Sequence, residues 1–192
     1  MIRKLFFNEK IDYGAWDFLI PLIDYILTEI QGCIVEIGTG YTSEILWKLS
    51  LKHNRQIFHC DINPLESRDN INKEFLDEKN LTVCSSNDFF EKISLPKIAI
   101  GFIDGDHQYE QVKKDFNNLY PKMSDFGCIF IHDTFPKNES SLLKWRCGDS
   151  YRFRQEIEKE FLGYCFTFTH SMMSAGLTMV KKKPLNLPFY RE

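Results

Sequence analysis

Five short runs, CIVEIG, QIFHC, LTVCS, IAIGFI and CIFI, constrain this chain more than any other feature. Each is apolar almost throughout rather than alternating, so each reads as a strand covered on both faces. Stretches of helical spacing lie between them. Trp16, Leu19, Ile23, Ile26, Leu27 and Ile30 recur three or four residues apart, with Gly32 as the stop. Ile45, Leu46 and Leu49 mark a helix capped by Thr42 or Ser43. Tyr109, Val112, Phe116 and Leu119 form one stripe, and further helices are expected over about 64–78, 88–93 and 151–161. Strands that alternate with helices in this way predict an α/β, doubly wound, mostly parallel sheet. The tail breaks the rhythm. YCFTFTH and GLTMVKKK are separated only by SMMSA, too short for a crossover helix, so they must pair as an antiparallel C-terminal hairpin.

With 192 residues, no repeat and no linker, the chain is expected to form one domain over 1–192, with an N-terminal helix at about 14–31 and a core at about 32–183. Its 24 basic and 27 acidic residues leave a net charge of −3, so no basic field exists to hold nucleic acid. The run Lys181 to Lys183 reads as a solvated strand end. The longest apolar stretch, 18–30, is broken by Pro21, Asp24 and Glu29, and no membrane span is expected. The opening MIRKLFFNEKIDYG lacks the apolar run of a signal peptide, and the six cysteines contain no CxxC pair. Cys60, Cys84, Cys128 and Cys165 sit in β-branched or aromatic runs as small hydrophobes. A cytoplasmic location is the expectation.

In open parallel sheets the ligand sits beyond the carboxyl ends of the strands. The first strand ends in Glu36-Ile37-Gly38-Thr39-Gly40, a tight turn whose following helix offers free N–H groups. Ser43 stands where a dinucleotide fingerprint would have its third glycine. The second strand ends at Asp61, placed to take both hydroxyls of a ribose. The fourth ends in FIDGDHQYEQVKKDF, with Asp104, Asp106 and His107 in one turn, and the fifth ends in His132-Asp133. Helix capping explains Asp106 but not the whole set of carboxylates and imidazoles at adjacent strand ends.

VEIGTGYTSEIL, CDINP and FIDGDHQYEQVKKDFNNLYPKMSDFGCIFIHDT together resemble the class I S-adenosylmethionine-dependent methyltransferases. More narrowly they resemble the branch carrying IDGDHxYExVxxD…HD, which includes small-molecule O-methyltransferases. The resemblance spans roughly 15–183 and implies a Rossmann-like sheet of about seven strands with an antiparallel final strand. It implies cofactor-binding roles for Glu36, Gly38, Gly40, Asp61, Ser86, Asn87 and Asp104, the middle pair at the adenine ring. Phe126-Gly127 departs from the Gly-Gly usual before strand five.

The implied reaction is an in-line transfer of a methyl group from a sulfonium to a hydroxyl of a small molecule, such as a sugar or glycan precursor. A hydroxyl needs a base or a metal to relieve it of its proton. Asp104, His107 and His132 are the candidate catalytic groups, both imidazoles titrating in the useful range. Asp104, His132 and Asp133 are candidate ligands for a divalent metal, and an imidazole donor favours Mn, Fe or Zn over Mg. Trp145, Met172 and Met173 could line an acceptor pocket or close the core, whereas Tyr13 and Trp16 read as packing. The expected partner is a small-molecule acceptor, with a homodimer compatible. Two other classes remain: an NAD(P)-dependent oxidoreductase on a similar sheet, and a cofactor-binding subunit without catalysis.

Overall fold

A computed structural model describes residues 18–64, 80–144, 146–169 and 175–184 of the chain. The elements run α1 (Leu19–Glu29), β1 (Cys33–Ile37), α2 (Tyr41–Lys52), β2 (Ile57–Asp61), β3 (Leu81–Val83), α3 (Ser86–Lys92) and β4 (Ile98–Ile103). They continue with α4 (Tyr109–Leu119), β5 (Met123–His132), α5 (Ser150–Glu160), β6 (Cys165–Phe168) and β7 (Leu177–Lys181). All seven strands join one sheet in the order β3-β2-β1-β4-β5-β7-β6. The first five are parallel, and β7 runs antiparallel to both β5 and β6. This is a Rossmann-like sheet with the expected terminal hairpin. The helix expected over about 64–78 falls, beyond Pro64, outside the described residues, as do Tyr13, Trp16, Trp145, Met172 and Met173.

The apolar strands are continuous because the sheet is covered twice. Ile34, Ile100, Phe102, Cys128 and Phe130 point into a core closed by α1 and α2. Val35, Ile37, Ile103, Ile129 and Ile131 point the other way, against Phe89 of α3, Val112 and Phe116 of α4 and Phe153 of α5. Each such side chain contributes about 1.5–3 kcal/mol when fully buried.

Three local readings change. The N-cap of α2 is Gly40, not Thr42 or Ser43: the Ser43 hydroxyl instead accepts from the Gly40 N–H at 2.9 Å. Helix α3 starts at Ser86 because Ser85 caps it, accepting from Asp88 N–H. Strand β5 starts five residues before CIFI, and Phe126-Gly127 lies within it, where the register against β4 shifts between Ile98 and Ile100. Phe126 takes φ 65° there, a conformation costing a non-glycine residue about 1–3 kcal/mol. The Lys181 ammonium, 4.8 Å above its ring, offsets part of that. Lys182 and Lys183 likewise lie over Tyr120 at 3.8 Å and Phe161 at 5.3 Å, so this charge run braces aromatic rings. All six cysteines are free, and burial pushes the Cys33 thiol up to about 12 and that of Cys128 to about 11.

Among the described residues, a fully buried polar pair, Glu36 and His59, interrupts the core on the α1–α2 side. Glu36 is fully buried, its Oε2 2.6 Å from Nδ1 of His59 on β2 and its Oε1 accepting from the Thr42 hydroxyl of α2 at 2.8 Å. It therefore pins β1, β2 and the first turn of α2 together. Removing one partner so that a buried polar group is left unsatisfied typically costs about 1–3 kcal/mol. Glu36→Ala should lose stability of that order in urea unfolding, and a loss below about 1 kcal/mol would show that the pair does not hold the fold.

Candidate active site

The strand order reverses between β1 and β4, which puts a crevice at their carboxyl ends. A cavity of about 430 Å³ opens there, within the range of small-molecule sites. Gly38 sits at its floor with φ 84°, and a Cβ on it would stand 2.3 Å from the Asp104 carbonyl oxygen. Gly38 therefore does more than make a tight turn: a side chain there would collide with the end of β4. Asp61 leans onto the same turn, its Oδ2 accepting from both the N–H and the hydroxyl of Thr39 at 2.6 Å.

Of the residues expected to bind a cofactor, Gly38, Asp61, Ser86, Asn87 and Asp104 line this cavity. Glu36 and Gly40 do not. Glu36 is turned into the core and engaged by His59 and Thr42, and Gly40 caps α2. Among the lining residues outside the expected set, two come from α4. Gln111 and Asp115, from α4, close the end occupied by Ser86 and Asn87. In the sequence they look like the polar face of an amphipathic helix; only the burial of Asp115, 1% exposed, sets it apart.

At the opposite end Asp104 belongs to a second assembly. Its Oδ1 accepts from Nδ1 of His132 at 2.8 Å and lies 3.3 Å from Nε2 of His107. Asp133 completes the group, with one oxygen 3.1 Å from His107 Nδ1 and the other 3.3 Å from His132 Nδ1. Ligand atoms from all four side chains lie within 4.8 Å of one another. Asp133 adopts φ 58°, backbone strain of the kind stored at functional sites. The connection to α5 holds it there: the Ser150 hydroxyl donates to its carbonyl at 2.5 Å, and His107 Nδ1 also meets the Arg146 carbonyl.

The electrostatics revise one expectation. Burial would depress His107, but its hydrogen bond to Asp104 and the charges of Asp104 and Asp133 carry it up to about 9. Burial opposes charge on His132 too, and Asp104 and Asp133 outweigh it and raise its pKa. Burial also works against the Asp104 carboxylate, yet the two imidazoles hold it well below the usual range. Without a metal, His107 therefore holds its proton at neutral pH, its pKa above the useful range expected for it. Two imidazoles and two carboxylates converging on one point make a nitrogen–oxygen donor set that fits a divalent ion, which would take the place of the protons.

The oxidoreductase alternative finds no support here. One class of such sites uses a Tyr-x-x-x-Lys pair in the cavity. The sequence does hold that spacing in Tyr109 and Lys113, but both bind Glu156 of α5, at 2.5 and 2.7 Å, and neither lines the cavity.

The family described as a methyltransferase domain matches residues 35–134. That is more than half of the chain, from β1 to just past β5, and the chain belongs to this family. No curated protein matches the sequence. Among solved structures, the MycE methyltransferase from the mycinamycin biosynthetic pathway, in complex with Mg and SAH, superposes with TM-score 0.60 at 19% identity, over 98% of this chain and 56% of that one. Cofactor-bound Rv0187 from MTB gives 0.63 at 15%, over 91% and 84%. The O-methyltransferase from Bacillus cereus in complex with SAH gives 0.60 at 16%, over 95% and 86%. At these identities the likeness establishes the fold, and the chain spans just over half the length of MycE. No helix among the described residues is long and apolar enough to cross a membrane.

Asp115 offers a test of the cavity. Burial raises its carboxyl from 3.8 to about 6, with Asp106 adding to the effect, against hydrogen bonds from Ser86 and Gln111 and the charge of Lys114. A raised carboxyl favours the folded state below pH 3.8, and that contribution is lost as the pH rises through about 6. Asp115→Asn should therefore raise stability by on the order of 2–3 kcal/mol at pH 7 to 8 and change it little at pH 4. An equal effect at both pH values in urea unfolding would contradict the burial.

Proposed function

We propose that this protein, as a single domain over 1–192, is an S-adenosylmethionine-dependent O-methyltransferase acting on a hydroxyl of a small molecule. One observation carries the reading: Asp104 lines the cofactor-sized cavity and also belongs to the imidazole–carboxylate cluster. A cofactor held in the cavity and an acceptor held at the cluster would then meet at one side chain. Three of the described neighbours were crystallised with SAH or a cofactor, and one of those with Mg as well.

S-adenosylmethionine would supply an electrophilic methyl on a sulfonium. Asp61 would take the ribose hydroxyls, Ser86 and Asn87 the adenine end, and the Gly38 turn the methionine part. Asp104 would place a carboxylate beside the cationic sulfur, an electrostatically favourable arrangement. A divalent ion held by Asp104, His132 and Asp133, with His107 adjoining, would lower the pKa of an acceptor hydroxyl. The imidazoles favour Mn, Fe or Zn over Mg in that position. Most of the acceleration can come from holding nucleophile and methyl about 3 Å apart. The charged, polar rim suits a sugar or glycan precursor better than an apolar acceptor, and neither nucleic acid nor a membrane is part of this reading. A homodimer is compatible with it.

Calorimetric titration should show S-adenosylmethionine binding and no binding of NAD, with Asp61→Ala weakening affinity at least tenfold through the loss of charge-assisted hydrogen bonds. NAD binding in preference would overturn the proposal. In a methyl-transfer screen over hydroxylated metabolites, Asp104→Asn should depress turnover about 10²- to 10⁴-fold. Chelator should abolish transfer, and manganese should restore it more readily than magnesium. Turnover that ignores chelator would remove the metal and leave proton removal to the cluster alone.

A further inference from the structure

The stretch from Thr134 to Gln155 carries five basic and two acidic residues, in a chain whose net charge is −3. One of the two carboxylates, Asp149, is already engaged by the Tyr109 N–H and by Arg152. Between this connection and α5 opens a second cavity, of about 350 Å³. Phe135, Lys137, Asn138, Tyr151, Arg154 and Gln155 are among the residues that line it, and none of the lining residues is acidic. Phe135 stands two residues beyond Asp133, so their Cα atoms lie within about 7 Å. Helix α5 ties the two places together: the Arg154 Nε donates to the Thr134 carbonyl at 2.9 Å and the Ser150 hydroxyl to that of Asp133 at 2.5 Å.

Two donors in the lining are oriented but unanswered. Asn138 Oδ1 accepts from the Ser141 N–H at 3.1 Å and from the hydroxyls of Ser140 and Ser141 at 2.7 and 3.0 Å. That fixes which end of the amide is oxygen and leaves Nδ2 without a partner among the described residues. Arg154 commits Nε to Thr134 and Nη1 to both oxygens of Glu158, at 2.9 and 2.8 Å, with its guanidinium over the Phe135 ring. Its Nη2 is left, and it is open to solvent rather than sealed in the core. Fixed N–H groups facing an open cavity, with a lysine beside them and no carboxylate, suit an anion rich in acceptor oxygens. A neutral sugar would bring no charge to match them. A carboxylate offers two oxygens in one plane, whereas a phosphate offers three in a tetrahedral array that meets donors from several sides.

We propose that this cavity receives a phosphate group of the methyl acceptor, held by Lys137, Asn138 and Arg154 while a hydroxyl of the same molecule lies at the Asp104 cluster. The acceptor is then a phosphorylated hydroxyl compound such as a sugar phosphate. This rests on the reading of the cluster as the methyl-transfer centre and adds the substrate class.

The test titrates glucose 1-phosphate, glucose and glucuronate by calorimetry into the full chain saturated with S-adenosylhomocysteine, without added metal because a metal would itself bind phosphate. Glucose 1-phosphate should bind at least tenfold tighter than either of the others. Asn138→Asp keeps the oxygen that the Ser141 N–H needs and replaces the amide donor with an anionic oxygen, so affinity for glucose 1-phosphate should fall at least tenfold. Lys137→Ala, at an exposed position, should lower it about two- to fivefold. Both variants should bind S-adenosylhomocysteine as the wild type does. Glucose 1-phosphate bound no better than glucose or glucuronate would overturn the proposal, and so would binding that neither variant weakens, since the phosphate would then sit at the imidazoles. Either result leaves the methyltransferase reading standing. Failure of the wild type to bind S-adenosylhomocysteine would overturn that reading and this inference with it.

Discussion

Everything at the active end of this protein depends on one steric contact, between the turn after β1 and the end of β4. Gly38 has no room for a side chain, because the Asp104 backbone stands where a Cβ would go. The Asp104 N–H donates to the Ile37 carbonyl and the Gly38 N–H to the Cys60 carbonyl, both at 2.8 Å. The first turn is thereby clamped between its two neighbouring strands. Because the strand order reverses here, the helices that follow β1 and β4 leave on opposite faces of the sheet and the crevice opens between them.

From that contact the rest follows by position. Asp104 is carried to the corner where the crevice meets the end of β5, and His132 and Asp133 stand beside it because β4 and β5 pair in register up to Ile103 and Ile131. The strained turn at Asp133 brings its carboxylate back toward His107. Like groups would repel in such a cluster, but two imidazoles against two carboxylates balance, and each sign stabilises the other. The cluster is assembled and electrostatically matched before any substrate arrives.

The sequence made the fold legible because the strands of a doubly covered sheet must be apolar on both faces, and because SMMSA is too short to cross over. The placement of Asp104, His107, His132 and Asp133 was also legible, since strand ends in such a sheet converge by topology. Glu36 misled because a carboxylate beside a glycine turn looks the same whether it faces ligand or core; only the partner His59, 23 residues on, decides, and pairing between strands is not written locally. Asp115 was invisible for the opposite reason. It occupies the border of the apolar stripe of α4, where a one-residue difference in helix rotation separates solvent from cavity. The histidine protonation states could not be read either, because they depend on distances to two carboxylates from different strands.

The central claim is that Asp104 joins a cofactor cavity to a catalytic cluster. A crystal structure of the protein soaked with S-adenosylhomocysteine and manganese tests it most directly. The account predicts the nucleoside between Asp61 and the Ser86 end, the sulfur directed toward Asp104, and manganese ligated by Asp104, His132 and Asp133. Ligand density outside the β1–β4 crevice at saturating concentration, or manganese bound away from Asp104, would contradict it.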